Sequence, residues 1–117
     1  MATVLVIDDE EKIRGVYATM LKREGHRAIE AESAEAASDL MLKHAIDLVL
    51  LDINMAEVDG AVFYEIIRTF HRRARVIVAS VYPINDQKQL IEAADDYYDK
   101  SDSLKVLLEK IKALLNR

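Results

Sequence analysis

Asp47 to Gly60 reads DLVLLDINMAEVDG. Within it Leu48 to Leu51 form an unbroken apolar run, and Asp52 stands directly behind them. Four apolar residues without alternation fit a strand buried on both faces, although periodicity alone does not separate this from a turn of buried helix. Asn54, Glu57, Asp59 and Gly60 then crowd into a loop-like stretch. An acid placed directly after a buried strand lies where open α/β sheets bind ligands, beyond the carboxyl ends of the strands.

Working outward, Val4 to Ile7 is a second run of this kind, β-branched at three of its four positions and closed by Asp8 and Asp9. Glu10 and Glu11 suit the positive end of a helix dipole. Ile13, Val16, Tyr17, Met20 and Leu21 recur at the spacing of one helical face, and Gly25 offers a stop. Arg27 to Ala31 is shorter and more polar, as expected of an edge strand. Ser33 suits the N-cap of a helix whose inner face is Ala37, Leu40 and Met41, ending near His44.

On the other side, Phe63, Ile66, Ile67 and Phe70 predict a third helix, with Arg68, Arg72 and Arg73 at its negative end. Val76 to Ala79 is a third buried-type strand closed by Ser80. VYPIND reads as a loop, since Pro83 cannot sit in a central strand. Leu90, Ile91 and Ala94 predict a short fourth helix. Asp95 to Asp99 reads as a last strand that puts Tyr97 and Tyr98 on opposite sheet faces, and Lys100 follows. Leu104, Leu107, Leu108, Ile111 and Leu115 form the clearest amphipathic stripe. Five strands alternating with five helices over short connections predict a parallel sheet covered on both faces.

The 117 residues suffice for one core, so residues 1–117 are read as a single domain with no second, effector domain. With no cysteine, neither a disulfide framework nor a thiolate metal site is available. The first apolar run is too short for a signal peptide or a membrane span, and a soluble, cytoplasmic protein is expected. A formal charge of −5 disfavours direct nucleic-acid binding. His26, His44 and His71 are scattered without metal-ligand spacing, and Arg72, Arg73 and Arg75 are most simply a solvated cluster.

The polar residues that matter fall just past strand ends: Asp8 and Asp9, Asp52, Ser80, Lys100. A doubly wound sheet of flavodoxin-like order 2-1-3-4-5 makes the first and third strands neighbours at its switch point. Three carboxylates then meet. Two unit charges about 4 Å apart repel by roughly 4 kcal/mol at an effective dielectric near 20, so the cluster needs a raised pKa or a cation. Oxygen ligands at an open edge suit Mg²⁺, with Mn²⁺ as an alternative. Ser80 and Lys100 add a hydroxyl and an ammonium around the same space. Such a site would stabilise a phosphoryl group in transfer to a carboxylate. Asp52 is the nucleophile of choice, because the adjacent Asp8 and Asp9 are better suited to holding a metal.

With VLVIDDE, DLVLLDINM followed by DG, the Ser of VIVAS, and DDYYDK in this order, the chain resembles a response-regulator receiver domain over essentially its whole length. Receivers of this chemotaxis-regulator-like kind are the phosphorylated half of bacterial two-component signalling. The resemblance implies that Asp52 accepts phosphate from a sensor histidine kinase or a phosphotransfer protein. It implies Mg²⁺ ligation by Asp9 and Asp52 through side chains, by the Asn54 backbone carbonyl, and by Asp8 through water. Ser80 would bond the phosphoryl oxygen and Lys100 pair with it, while Tyr97 swings inward behind Ser80. The face of the fourth helix, last strand and last helix would then change its affinity for a downstream protein. Monomer or phosphorylation-dependent homodimer is implied, with no membrane partner and no turnover of a separate substrate.

Four positions depart from the family pattern. Ala56-Glu57 replaces the usual Pro-Gly, so a differently shaped loop after Asp52 is expected. Val81 is bulkier than the usual Ala or Gly, and Ser101 replaces the usual Pro after Lys100. Asn54, Val81 and Tyr82 are therefore expected to modulate access to the acceptor. The competing reading is a receiver fold kept only for phosphorylation-independent protein binding. Two enzyme classes fit poorly: a haloacid-dehalogenase-type phosphohydrolase wants an acid where Asn54 stands, and DDEE would repel the phosphate of a flavodoxin-type loop.

Overall fold

Among the described residues, the apolar runs and amphipathic segments resolve into five strands and five helices in strict alternation. In chain order they are β1 (Thr3–Ile7), α1 (Glu11–Arg23), β2 (Arg27–Ala31), α2 (Ala34–Lys43), β3 (Leu48–Asp52), α3 (Gly60–Phe70), β4 (Arg75–Ser80), α4 (Ile84–Leu90), β5 (Asp96–Asp99) and α5 (Leu104–Leu115). The structure is a computed structural model and describes residues 1–55 and 59–116. The expectation for Ala56-Glu57 lies outside the described residues.

All four strand pairings are parallel, in the order β2-β1-β3-β4-β5. The central strands carry apolar side chains on both faces, and alternation divides these into two cores. Leu5, Ile7, Val49, Leu51, Val76, Val78 and Tyr97 face α2 and α3. Val4, Val6, Leu48, Leu50, Ile77, Ala79 and Tyr98 face α1 and α5. Each large aliphatic side chain buried this way contributes about 1.5–3 kcal/mol. Tyr97 and Tyr98 separate as the period of two requires.

Helix ends follow local chemistry. Ser33 and Ser103 accept from the backbone N–H groups of Ala36 and Val106, capping α2 and α5. Gly25, at φ +85°, ends α1 in the left-handed conformation.

Several predicted faces are rotated or shifted. In α1 the buried residues are Tyr17, Ala18 and Leu21, and Val16 is exposed. In α3 Tyr64 joins Phe63 and Ile67 in the core while Ile66 and Phe70 face solvent. Leu114 rather than Leu115 closes the α5 stripe, and Leu104 is exposed. Tyr17, Ile67 and Leu114, each one position from Val16, Ile66 and Leu115, take the inward direction instead.

The fourth helix starts earlier than predicted. Pro83 serves as its N-cap, so Ile84, Asn85 and Asp86 are already helical. Leu90 is exposed, Ile91 is the buried C-cap, and Ala94 lies outside. Proline lacks only a donor that a first turn would leave unbonded, so it starts a helix as readily as it stops one. The anchor of α4 is a fully buried polar residue, Gln87, which apolar spacing cannot detect. Arg75 is not simply solvated, because its guanidinium donates to the Leu114 carbonyl at the end of α5.

Candidate functional site

Strand register builds the site. Ile7 is level with Leu51, so the next residues, Asp8 and Asp52, emerge side by side from β1 and β3. Ser80 is level with Asp99, and the Lys100 N–H donates to the Ser80 carbonyl at 2.8 Å. Four strand ends therefore deliver their polar residues to one edge. Asp8, Asp9 and Asp52 each place a carboxylate oxygen within 4.8 Å of the others. Asp8 and Asp52 are buried, only 1% and 3% exposed, whereas Asp9 is open to solvent.

Two such buried carboxylates are tolerated because donors converge on them. The Glu10 N–H donates to Asp8 Oδ1 at 2.9 Å, and the Asn54 N–H donates to Asp52 Oδ1 at 2.9 Å. Lys100 Nζ donates to Asp8 Oδ2 at 2.9 Å and lies 3.4 Å from Asp52 Oδ2. Burial still dominates at Asp52 and raises its pKa, against the lowering by the Asn54 N–H and the Lys100 charge. At Lys100 burial alone would lower the pKa. The hydrogen bond that Lys100 donates to Asp8 and the charges of Asp52 and Asp8 outweigh it, and the ammonium is held above its ordinary range. The peptide bond between Lys100 and Ser101 is trans, as are all those of the described residues. Lys100 reaches both acids in this conformation.

The Ser80 hydroxyl is fully buried, donates to Asn54 Oδ1 at 2.6 Å and accepts from the Tyr82 N–H at 3.0 Å. Asn54 thus contributes twice, through its backbone to Asp52 and through its side chain to Ser80. Tyr97 is turned inward beneath this edge, where its hydroxyl donates to the Ile91 carbonyl at 2.5 Å and accepts from the Ala94 N–H at 3.1 Å. Val81 and Tyr82 lie exposed at the rim. Gly60 holds the segment after Asp52 close to the sheet. A Cβ there would stand 2.8 Å from Ile53 Cα, so only glycine fits without a shift.

Three supports were not legible in the sequence. Arg14 donates to the Asp8 carbonyl at 2.8 Å and pairs with Glu30, fixing the turn that carries the two N-terminal acids. Gln87 Nε2 donates to the carbonyls of Tyr82 and Tyr98, both at 2.9 Å, joining the segment after Ser80 to β5 through α4. Arg68 pairs with Asp95 and also meets the Tyr64 hydroxyl and the Ala74 carbonyl. Its role is therefore structural, beyond the helix-end charge that the sequence suggested. For Arg14, on α1, the partner acid lies on β2, and for Gln87 the partners are main-chain carbonyls. Neither leaves a mark in local spacing.

Chemically, the edge presents an oxygen-rich, negatively charged cradle beside one ammonium and one hydroxyl. The donor set fits a small hard cation: oxygen ligands only, two of them anchored by backbone N–H groups, and one exposed. No described helix is long and apolar enough to cross a membrane.

A family model described as the response regulator receiver domain matches residues 4–112. The transcriptional regulatory protein YxdJ of Bacillus subtilis is 31% identical over 118 residues, covering 100% of this chain and 52% of that protein. The response regulator TrrA of Thermotoga maritima, whose crystal structure is a complex with Mg²⁺-BeF, is 34% identical with a TM-score of 0.88, over 97% of this chain and 99% of that one. A two-component response regulator of Clostridium difficile shares the fold with a TM-score of 0.92 at 23% identity, over 100% of this chain and 98% of that one. The chain spans about half the length of the first curated relatives it matches.

Proposed function

The chain belongs to the response regulator receiver domain family, and from that premise we propose that it is a phosphorylation switch with Asp52 as acceptor. An Asp52 carboxylate oxygen attacks phosphorus of a phosphohistidine on a sensor kinase or phosphotransfer protein. The new O–P bond forms as the N–P bond breaks, and the released imidazole keeps the electron pair and takes up a proton from solvent. Asp9, Asp52 and the Asn54 carbonyl are the residues that would hold Mg²⁺ or Mn²⁺, with Asp8 acting through water. Bound there, the metal supplies charge neutralisation at the phosphoryl oxygens.

Lys100 is the residue that must change partner. It rests between Asp8 and Asp52, and in the phosphorylated chain it turns to the phosphoryl oxygen while still facing Asp8. Ser80 leaves the Asn54 carboxamide to donate to the same group, and the segment through Tyr82 follows because its N–H is bonded to Ser80. Inward Tyr97 packs into the space this movement leaves. The face of α4, β5 and α5 then presents a different surface to a downstream protein. Contact with nucleic acid is not part of this reading of the chain itself. Nor is turnover of a separate substrate, because the chain is changed by the reaction and reset by hydrolysis.

The observation that carries this reading is the meeting of three carboxylates within 4.8 Å, two of them buried beside one lysine. The test is intact-mass measurement after incubation with Mg²⁺ and acetyl phosphate. One added phosphoryl group in the parent and none in Asp52→Asn supports the switch. No adduct in either favours a phosphorylation-independent binding module. Steady consumption of the donor without an adduct points to an enzyme.

A further inference from the structure

The solvent face of α3 carries apolar residues that the fold does not use. Val62, Ile66 and Phe70 are 55%, 42% and 74% exposed and recur every fourth residue, so they form one stripe along the helix. They point away from the core side of α3, where Phe63, Tyr64 and Ile67 are buried. Tyr64 and Arg68, which reach the Ala93 carbonyl and Asp95 ahead of β5, lie on the other side of the helix from this stripe.

Charge along the same helix is segregated. Asp59 opens it, exposed and acidic, while Arg72 and Arg73 stand just beyond its C-cap, His71. Asp59, Arg72 and Arg73 take part in none of the ion pairs among the described residues. A helix turned end over end about its middle therefore matches itself. With the axis at Ile66, Val62 of one copy faces Phe70 of the other, and Asp59 comes level with Arg72 and Arg73. Ile66 meets Ile66.

We propose that this face of α3 is the contact through which two copies of the chain associate, antiparallel and two-fold symmetric about Ile66. Such an interface is isologous, the commonest symmetry of small homo-oligomers. It closes on itself and leaves the carboxylate edge of each copy free. An apolar centre flanked by opposite charges also disfavours the parallel arrangement, in which Asp59 would face Asp59 and the arginines each other. The patch is small, so the association is weak and concentration-dependent.

The absence of cysteine from the chain allows a direct test. Packed helix axes lie roughly 8–10 Å apart and Cα atoms about 2.3 Å from each axis. Residues meeting on the two-fold axis are then separated by about 3.4–5.4 Å, and the upper part of that range falls within the span of a disulfide. Under mild oxidation without any phosphodonor, Ile66→Cys should cross-link to itself. Val62→Cys should cross-link efficiently only when mixed with Phe70→Cys. Sedimentation velocity over a concentration series should show a reversible dimer in the parent, weakened at least about tenfold by Ile66→Glu. The circular dichroism spectrum of Ile66→Glu should match the parent's, because Ile66 is exposed. A parent that stays monomeric throughout overturns the proposal. So does Ile66→Cys cross-linking no faster than Leu90→Cys on α4, or a dimer indifferent to Ile66→Glu. None of these residues belongs to the carboxylate site, so each outcome is independent of the phosphorylation reading.

Discussion

Replacing Lys100 by Met removes a charge while keeping the length of the side chain, and it tests how the resting site is held together. Asp8 and Asp52 are both buried, and Lys100 Nζ lies 2.9 Å from one and 3.4 Å from the other. Two carboxylates under 4.8 Å apart repel by roughly 3–4 kcal/mol at an effective dielectric near 20. Removing one partner from a buried ion pair typically costs about 3–5 kcal/mol. The expected loss is therefore about 3–5 kcal/mol, a large fraction of the roughly 5–15 kcal/mol available to a domain. Because the raised pKa of Lys100 keeps it charged, its contribution is complete at neutral pH and is lost only as pH rises through the folded-state value. Urea denaturation at pH 7, with and without Mg²⁺, reads the effect. Lys100→Met should unfold at lower urea with an unchanged m-value, and Mg²⁺ should stabilise it more than it stabilises the parent. A loss below about 1 kcal/mol with an identical Mg²⁺ response would refute the charge-balance reasoning.

Asp52→Asn should raise the unfolding midpoint of the metal-free chain at pH 7. Burial raises the Asp52 pKa, so its stabilising contribution is present at acid pH and lost as pH rises through the folded value. The advantage of the variant should accordingly shrink as pH falls, and a midpoint below that of the parent at pH 7 would count against the burial argument. Gly60→Ala should destabilise by about 1–3 kcal/mol, because the new methyl meets the Ile53 backbone; a parent-like urea midpoint would show that the segment yields freely. Val81→Ala should speed both acetyl-phosphate phosphorylation and hydrolysis of the adduct, since Val81 stands exposed directly after Ser80. Equal rates for variant and parent would remove Val81 from any role in access.

The β-strands and the site acids were the legible part of this sequence, and for one reason. A strand buried on both faces has to be apolar throughout, so Val4 to Ile7, Leu48 to Leu51 and Val76 to Ala79 declare themselves, and their ends locate Asp8, Asp52 and Ser80. The helices were less legible because one buried face leaves choices. Ile66 and Ile67 are chemically alike, yet only Ile67 is buried, and the direction of α3 against the sheet decides which. Pro83 has opposite meanings at the start of a helix and inside a strand, and that ambiguity displaced α4. Polar anchors such as Gln87, and the hydrogen bond between Ser80 and Asn54, join residues distant in sequence and carry no periodic signal.

The central claim is that Asp52, among acids gathered from separate strands, is the position a phosphoryl group occupies. Titration with beryllofluoride and Mg²⁺, followed by amide NMR, addresses it most directly. Saturation at one equivalent, with the largest shifts at Asp9, Asp52, Asn54, Ser80 and Lys100 and none in Asp52→Asn, is the predicted result. Absence of binding in the parent, or binding that survives unchanged in Asp52→Asn, would contradict it.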